Sequence, residues 1–505
     1  MKKFLLQQSM RLHRWLLWSA LVSLIVFVVS ALSHPLMVWT GPQSLVFSPP
    51  SLVVEQQTMA IFSRQLGHPA VEQARLVKLV ATKQGAMMQL SDAGGRRQYV
   101  SLQQGIGEEV DGSDRYDDRA QAIWLARYYT GEAADVEAVE WIDKFSTDYP
   151  SVNRLLPVYR VSFANDSGLS AYVHTETNAL AGLNNHWKTS LQWVFKNLHS
   201  WSWLDYYPTL RVAIMLYLLL VLLALTASGV TLLLVLRRRH YRSAGQRFHR
   251  RLAWLVCLPL LGFIISGAYH LLQQQYGQGL QLAALPDVVR INGVVGVETH
   301  DVVGVLADQD QPLHQISVIS HQGRAYLRAS VAADKKSKLQ REHDHYESPT
   351  SIRNQRFDGI GREQGGYYFD LPAMQPQTFS DRQVARSLAL DYLQRRDFTL
   401  DDKDLTVEKV SRFGGGYDFR HKRLPVWKIT LPQQSNDIIF VDTFSGLVVE
   451  HVTSAQQWEG VSFSQLHKWN MLTPILGREY RDALMVLVLL LALALAALGV
   501  VMRRR

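Results

Sequence analysis

One cysteine, Cys257, stands among 505 residues, so no intramolecular disulfide can form and a thiolate-bound metal cluster is excluded. Any metal must then use N or O ligands. The chain also has no His-Glu-x-x-His, no nucleotide-binding glycine loop and no flavin or NAD fingerprint, and it offers no nucleophile or zinc constellation for a peptidase. A further absence is the most informative. Trp15–Ser33, Val212–Leu236, Leu252–Leu272 and Ala483–Val501 contain no Asp, Glu, Lys or Arg, and each is long enough to cross a bilayer.

Four transmembrane helices follow, and the basic residues orient them. Lys2, Lys3, Arg11 and Arg14 precede the first span, Arg237, Arg238, Arg239, Arg242, Arg247, Arg250 and Arg251 crowd the second connection, and Arg503 to Arg505 end the chain. The positive-inside rule sets these flanks, and both termini, on the cytoplasmic side. The expected division is 1–37 with the first span, 38–208 outside, 209–236 the second span, 237–251 a basic loop, 252–273 the third span, 274–480 outside, and 481–505 the last span. In a bacterial inner membrane the two long connections lie in the periplasm. The net charge of +9 sits largely in the cytoplasmic flanks, so it reports topology and gives no support for nucleic-acid binding. A cleaved signal peptide ending near Ala31-Leu32-Ser33 is disfavoured, because the same apolar pattern recurs internally around His249 to His270.

The recurrence is a repeat. His13 and His34 are 21 residues apart, as are His249 and His270, and the second pair is displaced by 236 (249 − 13 and 270 − 34). Twenty-one residues of helix climb roughly 31 Å, and the two rings differ by only about 60° around the axis. Each helix thus carries one imidazole near either membrane face. Further on, Leu156-Pro157-Val158-Tyr159-Arg160-Val161 matches Leu424-Pro425-Val426-Trp427-Lys428-Ile429, and Phe195-Lys196-Asn197-Leu198-His199-Ser200-Trp201 matches Phe463-Ser464-Gln465-Leu466-His467-Lys468-Trp469, now displaced by 268. Each half reads as helix, external domain, helix, and the two halves share one orientation. This sets His13 opposite His249, His34 opposite His270 and His199 opposite His467.

Within the external domains, the alternating Val158 to Phe163 and Val426 to Leu431 read as half-buried strands, each followed by a polar turn and a second strand. Helices are expected over Asp118 to Tyr129, Val136 to Thr147 and Asp381 to Arg396. Helix followed by antiparallel hairpin makes a small α+β unit. The fold class is therefore a membrane α-helical protein, with four transmembrane helices from two parallel repeats and an α+β periplasmic domain inserted in each.

Several motifs together resemble a known family. The Leu12-His13-Arg14-Trp15 opening, the Ser30-to-His34 and Ser266-to-His270 segments, the Leu-Pro-Val-aromatic strand with its hairpin, and the Leu-His-x-Trp segment before each outgoing helix are similar to PepSY-associated transmembrane proteins. The likeness covers nearly the whole chain except the first parts of the external domains. It implies PepSY-like periplasmic domains and, from the family's ferric-siderophore reductases, b-type haem bound through membrane histidines. Pro35 follows His34 where Leu271 follows His270, so the two outer positions are not equivalent.

Two haems b suit this set, because two neutral imidazoles fill the axial positions of a haem iron. His13 with His249 and His34 with His270 form one pairing; His34 with His199 and His270 with His467 form the other. Electrons from membrane quinol or a cytoplasmic reductase would then reduce a periplasmic ferric siderophore or other ferric chelate. Against this stands the ordinary presence of His and Trp at membrane interfaces. His343 and His345, with Asp344 between them, suggest an extra metal site or a solvated polar loop, and Arg420 to Arg423 suggest an anion contact or a solvated basic turn. Two other classes stay open: an iron or siderophore uptake permease component, and a regulatory or ligand-binding membrane protein without redox activity.

Overall fold

The computed structural model describes residues 2–50, 52, 54, 56–67, 71, 73–102, 116–236, 243–277, 313–332, 363–371, 374–396, 405–414, 416–431 and 436–504. The His343–His345 segment and residues 237–242 of the basic loop lie outside them. In chain order the first half holds α1 (Lys2–Thr40), α2 (Gln56–Gln65), β1 (Leu76–Thr82), β2 (Gly85–Ser91), β3 (Arg97–Ser101), α3 (Asp118–Thr130), β4 (Val136–Ile142), β5 (Val158–Phe163), β6 (Ser170–His174), β7 (Ala179–Asn184), α4 (His186–Val194) and α5 (Pro208–Val235). The second holds α6 (Ala244–Tyr276), β8 (Leu313–His321), β9 (Arg324–Ala332), β10 (Glu363–Asp370), α7 (Asp381–Gln394), β11 (Thr406–Val410), β12 (Val426–Leu431), β13 (Asp437–Asp442), β14 (Leu447–Val452), α8 (Ser454–Ser462) and α9 (Thr473–Arg504). These fall into two compact units. One joins Met1–Gly41, Trp187–Leu280 and Ala455–Arg505; the other joins Pro42–His186 and Gln281–Ser454.

In the helical unit, α1, α5, α6 and α9 contain the four candidate membrane spans among the described residues, each long and apolar enough to cross a bilayer. Leu16, Ala20, Leu24 and Val28 recur every four residues on α1, so they share one face and pack with Val221, Leu222, Val256, Ile264 and Ala492. Trp15, Trp18, Val22, Ile25 and Val29 face away and stay exposed. A helix apolar on every side, with half its apolar surface uncovered, is what a lipid environment permits. Before α5 and α9 the chain makes a π-helical turn, Phe195–His199 and Phe463–His467 respectively.

The other unit carries three antiparallel sheets among the described residues. Two have four strands, in the orders β4-β5-β6-β7 and β11-β12-β13-β14, and both strand expectations, Val158 to Phe163 and Val426 to Leu431, match β5 and β12. The peptide before Pro157 and that before Pro425 are both cis. Helix α3 lays Ala122, Leu125, Ala126 and Tyr129 on Val161, Phe163, Ala171 and Val173; α7 lays Ala385, Ala389 and Leu393 on Ile429, Leu431, Ile439 and Val441. Ser380 starts α7 with a capping box, which satisfies otherwise open backbone donors.

The expected helix over Val136 to Thr147 is instead strand β4, paired to β5 with Val139 opposite Val161. The spacing of Val136, Val139 and Ile142 suggested a helical period. A bulge between Val136 and Ala138 shifts the alternation by one residue, so Val136 and Val139 both reach the core under α3. The third sheet has six strands, β10-β9-β8-β1-β2-β3. Its middle is the pairing of β1 with β8, Val77 opposite Val318 and Lys78 opposite Ser317, so strands from both halves of the chain share one sheet.

Candidate histidine tiers in the helical unit

Histidines gather at two levels of the helical unit. At the first, His13 on α1 lies against α5, its Nδ1 3.0 Å from Ser228 Oγ. A methyl group on Gly229 would stand 3.5 Å from the His13 Cε1, and one on Gly499 of α9 would stand 3.6 Å from the Cε1 of His249. Each ring therefore packs against a neighbouring helix at a glycine. His13 and His249 are within electrostatic reach of each other. The two sites differ in one respect: Leu498 precedes Gly499 where Ser228 precedes Gly229, so the buried Nδ1 of His249 has no serine hydroxyl beside it and faces the Leu495 carbonyl.

The second level is built from the two π-helical turns. His199 Nδ1 lies 3.1 Å from Ser30 Oγ on α1, and His467 Nδ1 lies 3.1 Å from Ser266 Oγ on α6. Phe195 stacks on His199 and Phe463 on His467, both at 4.7 Å, while Phe27 and Phe263 meet the same imidazoles edge-on. His199, His270 and His467 are within electrostatic reach of one another. Ser30 is 17 residues beyond His13 and Ser266 is 17 beyond His249, which separates the levels by roughly 25 Å along the helices.

The serines determine which ring nitrogen carries the proton. Ser30 Oγ donates to the Val26 carbonyl at 2.6 Å, Ser266 Oγ to Gly262 at 2.6 Å and Ser228 Oγ to Leu225 at 2.7 Å. With its proton committed to its own helix, each hydroxyl must accept from the imidazole. His13, His199 and His467 are therefore protonated at Nδ1, and the Nε2 lone pair stays available. Such an anchored N–H with a free opposite nitrogen is the arrangement of a metal-ligating histidine.

His34 and His270 sit one helical turn beyond Ser30 and Ser266. His34 is exposed, 6.0 Å from Phe195. His270 stacks on Phe463 at 4.3 Å and pairs through Nδ1 with the Glu459 carboxylate of α8. Glu459 corresponds to Leu191 in the first half (459 − 268), so this pair belongs to one half only. All six histidines thus border the two levels, but the serine partners, Glu459, Gly229 and Gly499 were not singled out as partners in the sequence. The signal for two of them was present: Ser30 and Ser266 stand at the same repeat offset as their histidines.

Among the described residues no three His, Cys, Asp or Glu side chains converge as a site for a bare metal ion. A haem needs only two imidazoles from the protein, since the porphyrin fills the other four positions, and each level holds at least two histidines within electrostatic reach of each other. Two buried N–H groups beside the second tier, Trp201 Nε1 and Arg211 Nε, have no acceptor among the described residues.

The sheet unit holds a different kind of cluster. Lys78 pairs with Glu176 at 2.6 Å, Arg423 pairs with Glu176 and lies 3.0 Å from Asp442, and all four are buried. Burial alone would raise the Glu176 carboxyl, but Arg423 and Lys78 together hold it well below the usual range. Burial, followed by the Arg97 charge, pushes His174 well below its ordinary value. In the Arg420 to Arg423 segment His421 and Arg423 are buried, and Arg420 and Lys422 are half-buried. Arg420 is bound to Asp418 at 2.6 Å, His421 to Glu450 at 2.9 Å, and Lys422 lies over the Phe47 ring at 4.8 Å. Arg420 and His421 pair within the second half, whereas Arg423 with Glu176 and Lys422 over Phe47 join the two halves of the chain.

Comparison with protein-family models and with curated proteins finds no match for the chain.

Proposed function

We propose that this protein is a di-haem oxidoreductase of the bacterial inner membrane that passes electrons outward to a periplasmic ferric chelate, such as a ferric siderophore. The observation that carries it is the pair of imidazole tiers, three of whose rings are tautomerically set by serine to offer Nε2. His13 and His249 hold one haem b; His199 and His467 hold the other. This pairing is favoured over His34 with His270, because His34 is exposed whereas His199 and His467 are both anchored by serine. His34 and His270 then form the rim between the second tier and the membrane surface.

Haem iron with two axial imidazoles supplies one-electron transfer without an open coordination site. The chain supplies the rest. Ser30, Ser228 and Ser266 fix ring orientation, and Phe27, Phe195, Phe263 and Phe463 exclude water around the second tier. The basic flanks orient the tiers, with His13 and His249 toward the cytoplasm and the sheet unit in the periplasm. Two parallel repeats, each a PepSY-like domain between two helices, account for the offsets of 236 and 268 and for the twofold recurrence of the serine, phenylalanine and histidine contacts. The electron donor is separate, a membrane quinol or a cytoplasmic reductase, because the sequence contains no flavin or nicotinamide fingerprint. Reduction weakens the hold of hard oxygen donors on iron, since the ferrous ion is larger and less charged.

The test is an oxidised and a dithionite-reduced visible spectrum of the purified protein in mild detergent, with a pyridine haemochrome count. A b-type spectrum near two haems per chain is expected, falling to about one in His199→Ala or His249→Ala and unchanged in His34→Ala. A colourless, folded protein from haem-replete cells would overturn the reading in favour of transport or regulation.

A further inference from the structure

Beside the second tier, Trp201 Nε1 and Arg211 Nε are shielded from solvent, yet neither donates a hydrogen bond. Buried N–H groups are nearly always satisfied, so two together call for an acceptor that the polypeptide does not provide. Both border one 3-10 turn, Ser202–Leu204: Trp201 is its N-cap, and Arg211 is ion-paired to its C-cap, Asp205. Asp205 is largely exposed and engages the Nη1 of Arg211, leaving Nε directed elsewhere. His199 is two residues before Trp201.

The second half of the chain is an internal control. Trp469, which matches Trp201 at an offset of 268, donates its Nε1 to the Leu466 carbonyl at 3.2 Å. Arg481 follows Arg211 by 270, as Gly499 follows Gly229. It donates to Asp482 from Nε at 3.0 Å and to Thr473 Oγ1 at 2.9 Å, and also binds Asn470. The tryptophan and arginine at the matching positions of the second half therefore have acceptors, whereas Trp201 Nε1 and Arg211 Nε have none among the described residues, and Ser202 stands in place of Asn470.

We infer that Trp201 Nε1 and Arg211 Nε bind an anionic oxygen ligand, the carboxylate of a propionate arm of the porphyrin held by His199 and His467. This rests on the haem reading above. One neutral and one cationic N–H suit a carboxylate, which accepts at two oxygens. A lipid phosphate offers the same acceptor chemistry, and the experiment separates the two.

Full-length protein carrying His249→Ala, so that only the second tier is loaded, is prepared free of haem in detergent and titrated with hemin and with hemin dimethyl ester. The expected result is at least tenfold tighter binding of hemin. Trp201→Phe, which removes only the N–H, and Arg211→Met each bring hemin toward the affinity of the ester and leave the ester unchanged, whereas Trp469→Phe preserves the preference. Equal binding of hemin and ester by the unaltered site overturns the inference, as does a preference that survives both substitutions. If the preference survives while Arg211→Met loses co-purified anionic phospholipid, the donors serve a lipid phosphate. Failure of either porphyrin to bind would instead overturn the haem reading itself.

Discussion

Replacing Ser30 and Ser266 with alanine, singly, tests the second tier most directly. Each serine accepts an imidazole N–H at 3.1 Å, and its own proton is held by a helix carbonyl, so alanine removes the hydroxyl acceptor and leaves the ring with only the backbone carbonyl of Phe27 or Phe263. A bond of this kind contributes about 0.5–1.5 kcal/mol. The Nδ1–H···O contact makes the imidazole a stronger donor and so favours the ferric form; its loss raises the midpoint potential. For one electron, about 1.4 kcal/mol corresponds to about 59 mV, which puts the rise at roughly 20–60 mV per serine. Spectroelectrochemical titration of the purified variants reads this shift separately for each haem. Ser228→Ala should move only the first-tier component, and Leu498→Ser, which offers His249 the hydroxyl acceptor that His13 has, should lower that component. A Ser266→Ala variant with full haem content and an unchanged or lowered second-tier potential would refute the assignment of His467 as a ligand anchored by Ser266.

Gly229→Ala should keep both haems, since its methyl would meet His13 at an ordinary contact of 3.5 Å, whereas Gly229→Leu should displace the ring and halve the haem count measured by pyridine haemochrome. Arg423→Met should destabilise the sheet unit by about 3–5 kcal/mol, the cost of leaving the buried Asp442 carboxylate without its partner; pairing it with Asp442→Asn should recover part of the loss in thermal unfolding of the full chain. The sheet unit should also be acid-labile. His174 titrates well below 6.5 when folded, so below pH 6.5 the unfolded chain takes up a proton that the folded one refuses, and stability declines as pH falls. Glu176 titrates well below 4.5 when folded, so its stabilisation is complete above that value and is lost on further acidification. Unfolding temperature should drop from below pH 6.5, and His174→Gln should flatten the first part of the decline.

Much of the candidate site was legible from repetition. Paired histidines at matching offsets mark positions on helices, because an apolar helix has a constant rise and a copied segment keeps its register. The roles within the set were less legible. His34 and His270 stood out because they lie inside the apolar spans, whereas His199 and His467 sit in π-helical turns whose side-chain direction follows from no simple period. Only the packed chain brings Ser30 to His199 and Ser266 to His467, across 169 and 201 residues. Val136–Ile142 was misread for a related reason: a bulge that resets alternation is set by the partner strand and leaves little local trace.

The sequence by itself determined the four apolar helices, the doubled order of elements and the six histidines, since hydrophobic length, charge at helix ends and internal offsets are properties of neighbouring residues along the chain. Tertiary structure decided what those residues do to one another. It joined β1 to β8 in a sheet shared by both halves, buried His421 against Glu450 and Arg423 against Glu176 and Asp442, gave His270 a carboxylate that His34 does not share by position, and left the N–H groups of Trp201 and Arg211 unmet. Hydrogen bonds and buried charges between distant segments depend on distances of a few ångströms, and only the folded chain sets those distances.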